Sequence, residues 1–120
     1  MSLMNLTALE LGKKIKSREV SVMEAVEEAL VQSASKEPSV HAFVSLTPEY
    51  AKKRAAQVQK SIDDGTLTGP LAGVPVAIKD NMCTNGLKTT CSSKILKNFY
   101  PAYTAQAVLN LERAGAIIIG

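Results

Sequence analysis

The sequence predicts an α/β protein: a helical lead-in, then the first strands of a parallel or mixed sheet covered by helices. Three observations predict it. Residues 4–62 carry apolar positions three and four apart behind recognisable helix-start motifs. Two short apolar runs, Val74–Ile78 and Ala116–Ile119, follow within residues 69–120 and read as strands. One amphipathic stretch separates those runs, so strand, helix and strand succeed one another as in a crossover between parallel strands.

Each element has a local reason. Thr7-Ala8-Leu9-Glu10 fits a capping box, in which hydroxyl and carboxylate satisfy each other's backbone N–H groups, and it opens a short helix towards Lys16. Ser21-Val22-Met23-Glu24 is a second box. Its helix sets Val22, Ala25, Val26, Ala29 and Leu30 on one face, with Glu24, Glu27 and Glu28 near the positive end of the dipole. The segment from Ser33 to Pro38 is expected to break this helix, and His41–Ser45 to form a short strand with His41 as a core or half-exposed histidine. Thr47-Pro48-Glu49 starts a third helix: Thr47 as cap, Pro48 in the first turn where its missing N–H costs nothing. Ala51, Ala55, Val58 and Ile62 form its stripe, and Asp63-Asp64-Gly65 close it.

Gly69-Pro70 and Gly73 punctuate the approach to the strand at 74–78. Pro75 cannot donate to a ladder, so pairing is expected to start late or at an edge. Asn85-Gly86 signals a turn, and Ser92–Leu96 one helical turn. Thr104 is expected to cap a last helix with Ala107, Val108, Leu111 and Ala114 facing inward and Gly115 ending it. Ala116–Ile119 reads as a buried strand. Its flanking neighbours are absent from the chain, so it is expected to leave apolar surface open and favour self-association.

Composition excludes several function classes. Apolar residues at 46% and charged residues at 21% give a globular chain, not a disordered one. A net charge of +3 is too small to imply a polyanion partner. Aromatics at 4% and no tryptophan argue against a stacking surface for single-stranded nucleic acid. Most cations alternate with apolar residues at helical spacing and read as solvated faces. Cys83 and Cys91 have seven residues between them, which is not a zinc spacing, and His41 lies far off in sequence, so no metal site is expected. Two cysteines do not make a secreted scaffold, and the compartment they indicate is a reducing cytoplasm, where a Cys83–Cys91 disulfide is not expected. No apolar stretch is long enough to span a membrane.

The informative residue is Lys79. It stands at the exit of an apolar run, where a lysine either snorkels into water or does chemistry. A neutral lysine can take the proton of a serine hydroxyl, and Ser–Lys arrangements are an alternative to Ser-His-Asp. Bringing a free lysine towards neutrality at pH 7 costs about 4.6 kcal/mol, which burial or a neighbouring cation could supply. Asp80 and Asn81 follow at once and read either as turn formers or as residues positioning Lys79. A direct Asp80–Lys79 ion pair would favour the ammonium and oppose base function. Cys91, Ser92 and Ser93 are possible local nucleophiles, but no histidine and no Gly-x-Ser-x-Gly elbow accompanies them, and they read better as loop packing and capping. The chain therefore reads as the front part of an enzyme that holds one catalytic group and no nucleophile.

The run Gly69-Pro70-Leu71-Ala72-Gly73-Val74-Pro75-Val76-Ala77-Ile78-Lys79-Asp80-Asn81 resembles the amidase signature family. Gly86-Leu87-Lys88-Thr89-Thr90, Ser93-Lys94-Ile95-Leu96 and Ala114 through Gly120 continue the resemblance in order. It reaches back more weakly over residues 4–62 and covers about the first quarter of a typical member. Thr104-Ala105-Gln106 departs from the family's usual Asp-Ala-Thr. The resemblance implies that residues 1–120 are the N-terminal part of a single amidase domain, 4–62 its helical lead-in and 69–120 the start of its core. It implies a Ser–cis-Ser–Lys catalytic set with Lys79 as base. Both serines lie in a downstream Gly/Ser-rich segment that this sequence lacks, so the chain alone is expected to be inactive.

Within the family the chain is most similar to the glutaminase subunits of tRNA-dependent amidotransferases. That implies glutamine as substrate, two partners in the form of the B and C subunits, and tRNA contacted mainly through the partner. It also implies ATP and Mg used by the complete complex, with no cofactor bound by this chain. Two other readings stay open: a family hydrolase of small amides, and a non-catalytic module whose basic helices near Lys13–Arg18 and Lys52–Arg54 contact RNA or a protein.

Overall fold

Both capping boxes form. In the computed structural model, which describes residues 1–120, Thr7 Oγ1 accepts the Glu10 N–H at 3.3 Å and Glu10 accepts the Thr7 N–H at 2.8 Å. They open α1, Ala8–Lys16. Ser21 and Glu24 repeat the arrangement at 3.1 and 2.8 Å and open α2, Val22–Val40. The backbone N–H of each cap residue, then its hydroxyl, holds the Glu10 and Glu24 carboxyls below the ordinary carboxylate range.

Helix α2 does not break between Ser33 and Pro38 but runs on to Val40, with Pro38 inside its last turn. There the proline removes one i→i−4 bond close to an end where carbonyls are unpaired in any case. The Ser35 and Ser39 hydroxyls bond the Gln32 and Lys36 carbonyls at 2.9 Å each. His41, in the left-handed region at φ 51°, donates its N–H to the Glu37 carbonyl at 2.8 Å and ends the helix. It is an exposed cap, not a core histidine, and His41–Ser45 forms no strand. The segment meets the sheet through one bond, from the Thr47 N–H to the Ile119 carbonyl at 2.9 Å.

Helix α3, Pro48–Asp63, begins with proline at its first position as expected. Thr47 does not cap it: its hydroxyl makes no cap bond and is buried without a partner. The stripe is as read, with Ala51, Ala55 and Val58 buried and Ile62 packed on the core's edge. Ala25 and Ala29 of α2 join these alanines in one apolar cluster with Leu11 and Ile15 of α1.

Strand β1, Pro75–Val76, pairs in parallel with β2, Ile117–Ile118, in the register Pro75↔Ile117 and Val76↔Ile118. The crossover between them contains α4, Gln106–Arg113. Pairing does not start late. Gly73 already donates to the Gly115 carbonyl at 2.9 Å, and the Val74 and Val76 carbonyls accept from Ile117 and Ile119 at 2.9 and 3.1 Å. The ladder bonds of β1 run through the residues flanking Pro75, so its missing N–H is not needed. Ala116–Ile119 is buried, not left open. Exposed apolar side chains lie instead along the helical lead-in, at Leu9, Val31, Val40 and Val44, and in the crossover, at Ile95, Phe99, Tyr100 and Tyr103.

Three local expectations fail in the crossover. Thr104 does not cap it, because its hydroxyl accepts the Asn85 N–H at 2.9 Å and so ties the Asn85-Gly86 turn to the crossover. Val108 alone is buried on the helix, while Leu111 and Ala114 are half-buried and Ala107 is exposed. Ser92–Leu96 forms successive turns, such as Leu96 N–H to the Ser93 carbonyl at 3.1 Å, rather than a helical turn.

α3 and α4 are clamped through Glu112. Its carboxylate accepts the Tyr50 hydroxyl, and its carbonyl accepts Arg54 Nη2 at 2.8 Å. Burial first, then the hydrogen bond and charge of Glu112, pushes the Tyr50 hydroxyl up to about 12. The unfolded chain gives up this proton near pH 10, the folded chain only near 12, so the contribution is whole below 10 and is lost as pH rises between them. We expect the urea midpoint to fall across that window and Tyr50→Phe to flatten the fall. An equally steep fall in the variant would remove Tyr50 as its source.

Candidate functional site

The exit of β1, the 41–47 segment and the loop over 82–92 enclose a cavity of about 460 Å³. The last ladder bond before it runs from the Ile78 N–H to the Gly120 carbonyl at 2.9 Å. Lys79 follows directly, and its carbonyl accepts the Met82 N–H at 3.1 Å, turning the chain away from the sheet. Lys79 lines the cavity and is exposed.

Asp80 also lines the cavity. Its carboxylate makes no ion pair with Lys79 within 4 Å. Oδ1 accepts the Thr90 N–H at 2.8 Å, Oδ2 accepts the Thr90 hydroxyl, and the Asp80 carbonyl accepts the Cys91 N–H at 2.8 Å. Asn81 is exposed and lies outside the cavity lining. The fold therefore brings Lys79 and Asp80 to one wall and leaves Asn81 off it.

Three contributors were not legible as such. Lys88 places a second cation on the lining, and the only hint of it is the Asn85-Gly86 turn that sends the chain back. There Leu87 donates to the Thr84 carbonyl at 3.0 Å, with Gly86 at φ 82°. Thr90 is the buried partner of Asp80, ten residues on. Ser92, read as loop packing, lines the cavity, and both it and Cys91 are in the left-handed region at φ 57° and 50°.

Chemically, the wall offers an amine that can exchange a proton with a substrate or a neighbouring hydroxyl, and two cations suited to an anionic or strongly polar ligand. No group of three or more His, Cys, Asp and Glu side chains is close enough to hold a metal ion. Cys83 and Cys91 are both free, and Cys83 contacts the Tyr103 hydroxyl at 3.5 Å. No helix is long and apolar enough to cross a membrane.

The chain is similar to known proteins in sequence and in fold. The A subunit of the glutamyl-tRNA(Gln) amidotransferase of Agathobacter rectalis is 61% identical over 120 residues, all of this chain and 24% of that protein. The corresponding protein of Lachnospira eligens is 52% identical over the same span, 25% of its length. The chain thus spans about a quarter of the curated relatives it matches. Among solved structures, the peptide amidase of Stenotrophomonas maltophilia superposes with a TM-score of 0.87 at 30% identity, covering 94% of this chain and 23% of that one. The family model described as Amidase matches residues 24–120, and the chain belongs to the amidase family.

Proposed function

We propose that this chain corresponds to the N-terminal quarter of the glutaminase (the A subunit) of a glutamyl-tRNA(Gln) amidotransferase, and that Lys79 is its proton acceptor. The observation that carries the reading is 61% identity to such a protein along the whole chain, in a sequence whose Lys79 opens onto a cavity. In the complete protein a serine hydroxyl attacks the carboxamide carbon of glutamine while its proton passes, through the second serine, to Lys79 Nζ. The C–N bond breaks, the proton leaves with ammonia, and water cleaves the acyl-serine to glutamate. The B subunit then uses the ammonia with ATP and Mg to amidate glutamate on tRNA(Gln), and the small C subunit wraps the glutaminase, all in the cytoplasm.

A hydrolase of small amides is the weaker reading, because the peptide amidase is only 30% identical. The RNA-binding reading is weaker still. Lys14 pairs with Glu19 at 2.8 Å, Lys52 with Glu27 at 3.4 Å, and Arg54 is spent on Glu112, so those basic faces are partly engaged within the chain.

The test is a graft. The 120-residue chain replaces the matching segment of the Agathobacter rectalis glutaminase, which is assembled with its B and C subunits and given glutamine. We expect ammonia release within about tenfold of the parent, a cost of at most about 1.4 kcal/mol in the barrier, and none from the purified chain alone. Amide cleavage by the chain alone, or a folded graft that assembles but is silent, would overturn the reading.

A further inference from the structure

We propose that Asp80 and Thr90 form a positioning pair that holds the Lys79 turn and the Thr89–Ser93 loop as one unit at the cavity; this rests on the reading of Lys79 as proton acceptor. One residue makes three hydrogen bonds to two consecutive residues ten and eleven positions away. The Asp80 carboxylate takes both the N–H and the hydroxyl of Thr90, and its carbonyl takes the Cys91 N–H. Bonds to a charged acceptor are the strong kind. Thr89 and Thr90 are buried, and each is fixed again: Thr89 donates to the Phe99 carbonyl at 3.1 Å, and the Thr90 carbonyl accepts the Ser93 N–H at 2.8 Å.

The loop so held is strained. Cys91 and Ser92 stand next to each other in the left-handed region, which residues other than glycine disfavour. Such a pair persists where its flanks are over-determined, and Asp80 supplies one flank. The result is that Lys79, Asp80 and Ser92 line the same cavity through a rigid link, not through two loose loops. The carboxylate beside Lys79 is also committed to Thr90, so it is not turned onto the amine.

The experiment has two arms. In the grafted, assembled glutaminase, Asp80→Ala is expected to lower kcat at least about tenfold with KM within about twofold. Asp80→Asn, which keeps an acceptor for the Thr90 N–H and can donate to its hydroxyl, is expected to stay within about threefold of the parent. In the 120-residue chain, Asp80→Ala is expected to speed hydrogen exchange at the Thr90 and Cys91 amides at least about tenfold, leaving the Ile117 and Ile119 amides unchanged. Three results each overturn the proposal: Asp80→Ala with kcat within about twofold, Asp80→Asn as damaging as Asp80→Ala, or unchanged exchange at Thr90. An active Lys79→Met graft would instead remove the reading of Lys79, and the exchange arm would still decide whether the pair holds the loop.

Discussion

Lys79→Met in the grafted glutaminase is expected to lower kcat for glutamine hydrolysis about a thousandfold while the melting temperature stays within about 2 °C. A thousandfold is about 4 kcal/mol in the barrier, within the range a positioned proton acceptor supplies. Methionine keeps the unbranched character of lysine and removes the amine. Stability is expected to survive because the Lys79 side chain is exposed, takes part in no ion pair, and contributes to the turn through its backbone carbonyl. Lys79→Arg separates two roles. Arginine keeps the positive charge but cannot give up its proton, so a group needed for charge alone would be rescued and a proton acceptor would not. Near-parent turnover in Lys79→Arg would therefore sink the assignment, even if Lys79→Met were inactive.

What the sequence made legible is what depends on neighbours within a turn or two. Thr7 with Glu10, and Ser21 with Glu24, are complete as local motifs and appear as read. The stripes of α2 and α3 follow from spacing alone, and so does the parallel crossover. The failures share a different cause. Thr104 is as good a cap as Ser21 until the Asn85 N–H, nineteen residues back, claims its hydroxyl. Thr47 precedes its helix correctly, but its backbone is taken up by the bond to Ile119. Pro38 reads as a breaker because local propensity ignores the cap at His41, which lets the helix end two residues later. The site divides in the same way. Lys79 announces itself at a strand exit, whereas Lys88 and Ser92 reach the cavity, and Thr90 reaches Asp80, by the path of a loop, which no periodicity encodes.

Gly12→Ala is expected to destabilise the chain by about 2 kcal/mol, against the direction that helix propensity predicts. Gly12 sits inside α1, where alanine would ordinarily stabilise by about 1 kcal/mol. Here a Cβ would lie 2.0 Å from the Pro70 carbonyl oxygen and 3.2 Å from its carbon. Both are backbone atoms, so no rotamer change relieves the contact; either α1 or the 70–74 approach to β1 has to move. α1 cannot move cheaply, because Leu11 and Ile15 on either side of Gly12 are buried in the main cluster. The approach is pinned as well: the Gly73 N–H is bonded to Gly115, and a Cβ at Gly73 would already stand 2.7 Å from Val22. Gly69→Ala is the matched control, since a Cβ there meets nothing within 4 Å, and its effect is expected within about 0.5 kcal/mol of zero. Urea midpoints of the two variants make the comparison at a common slope. If Gly12→Ala unfolds at the same or higher urea than the parent, α1 does not rest on the Pro70 carbonyl. The close approach that leads from the helical lead-in to the Lys79 strand would then be wrong.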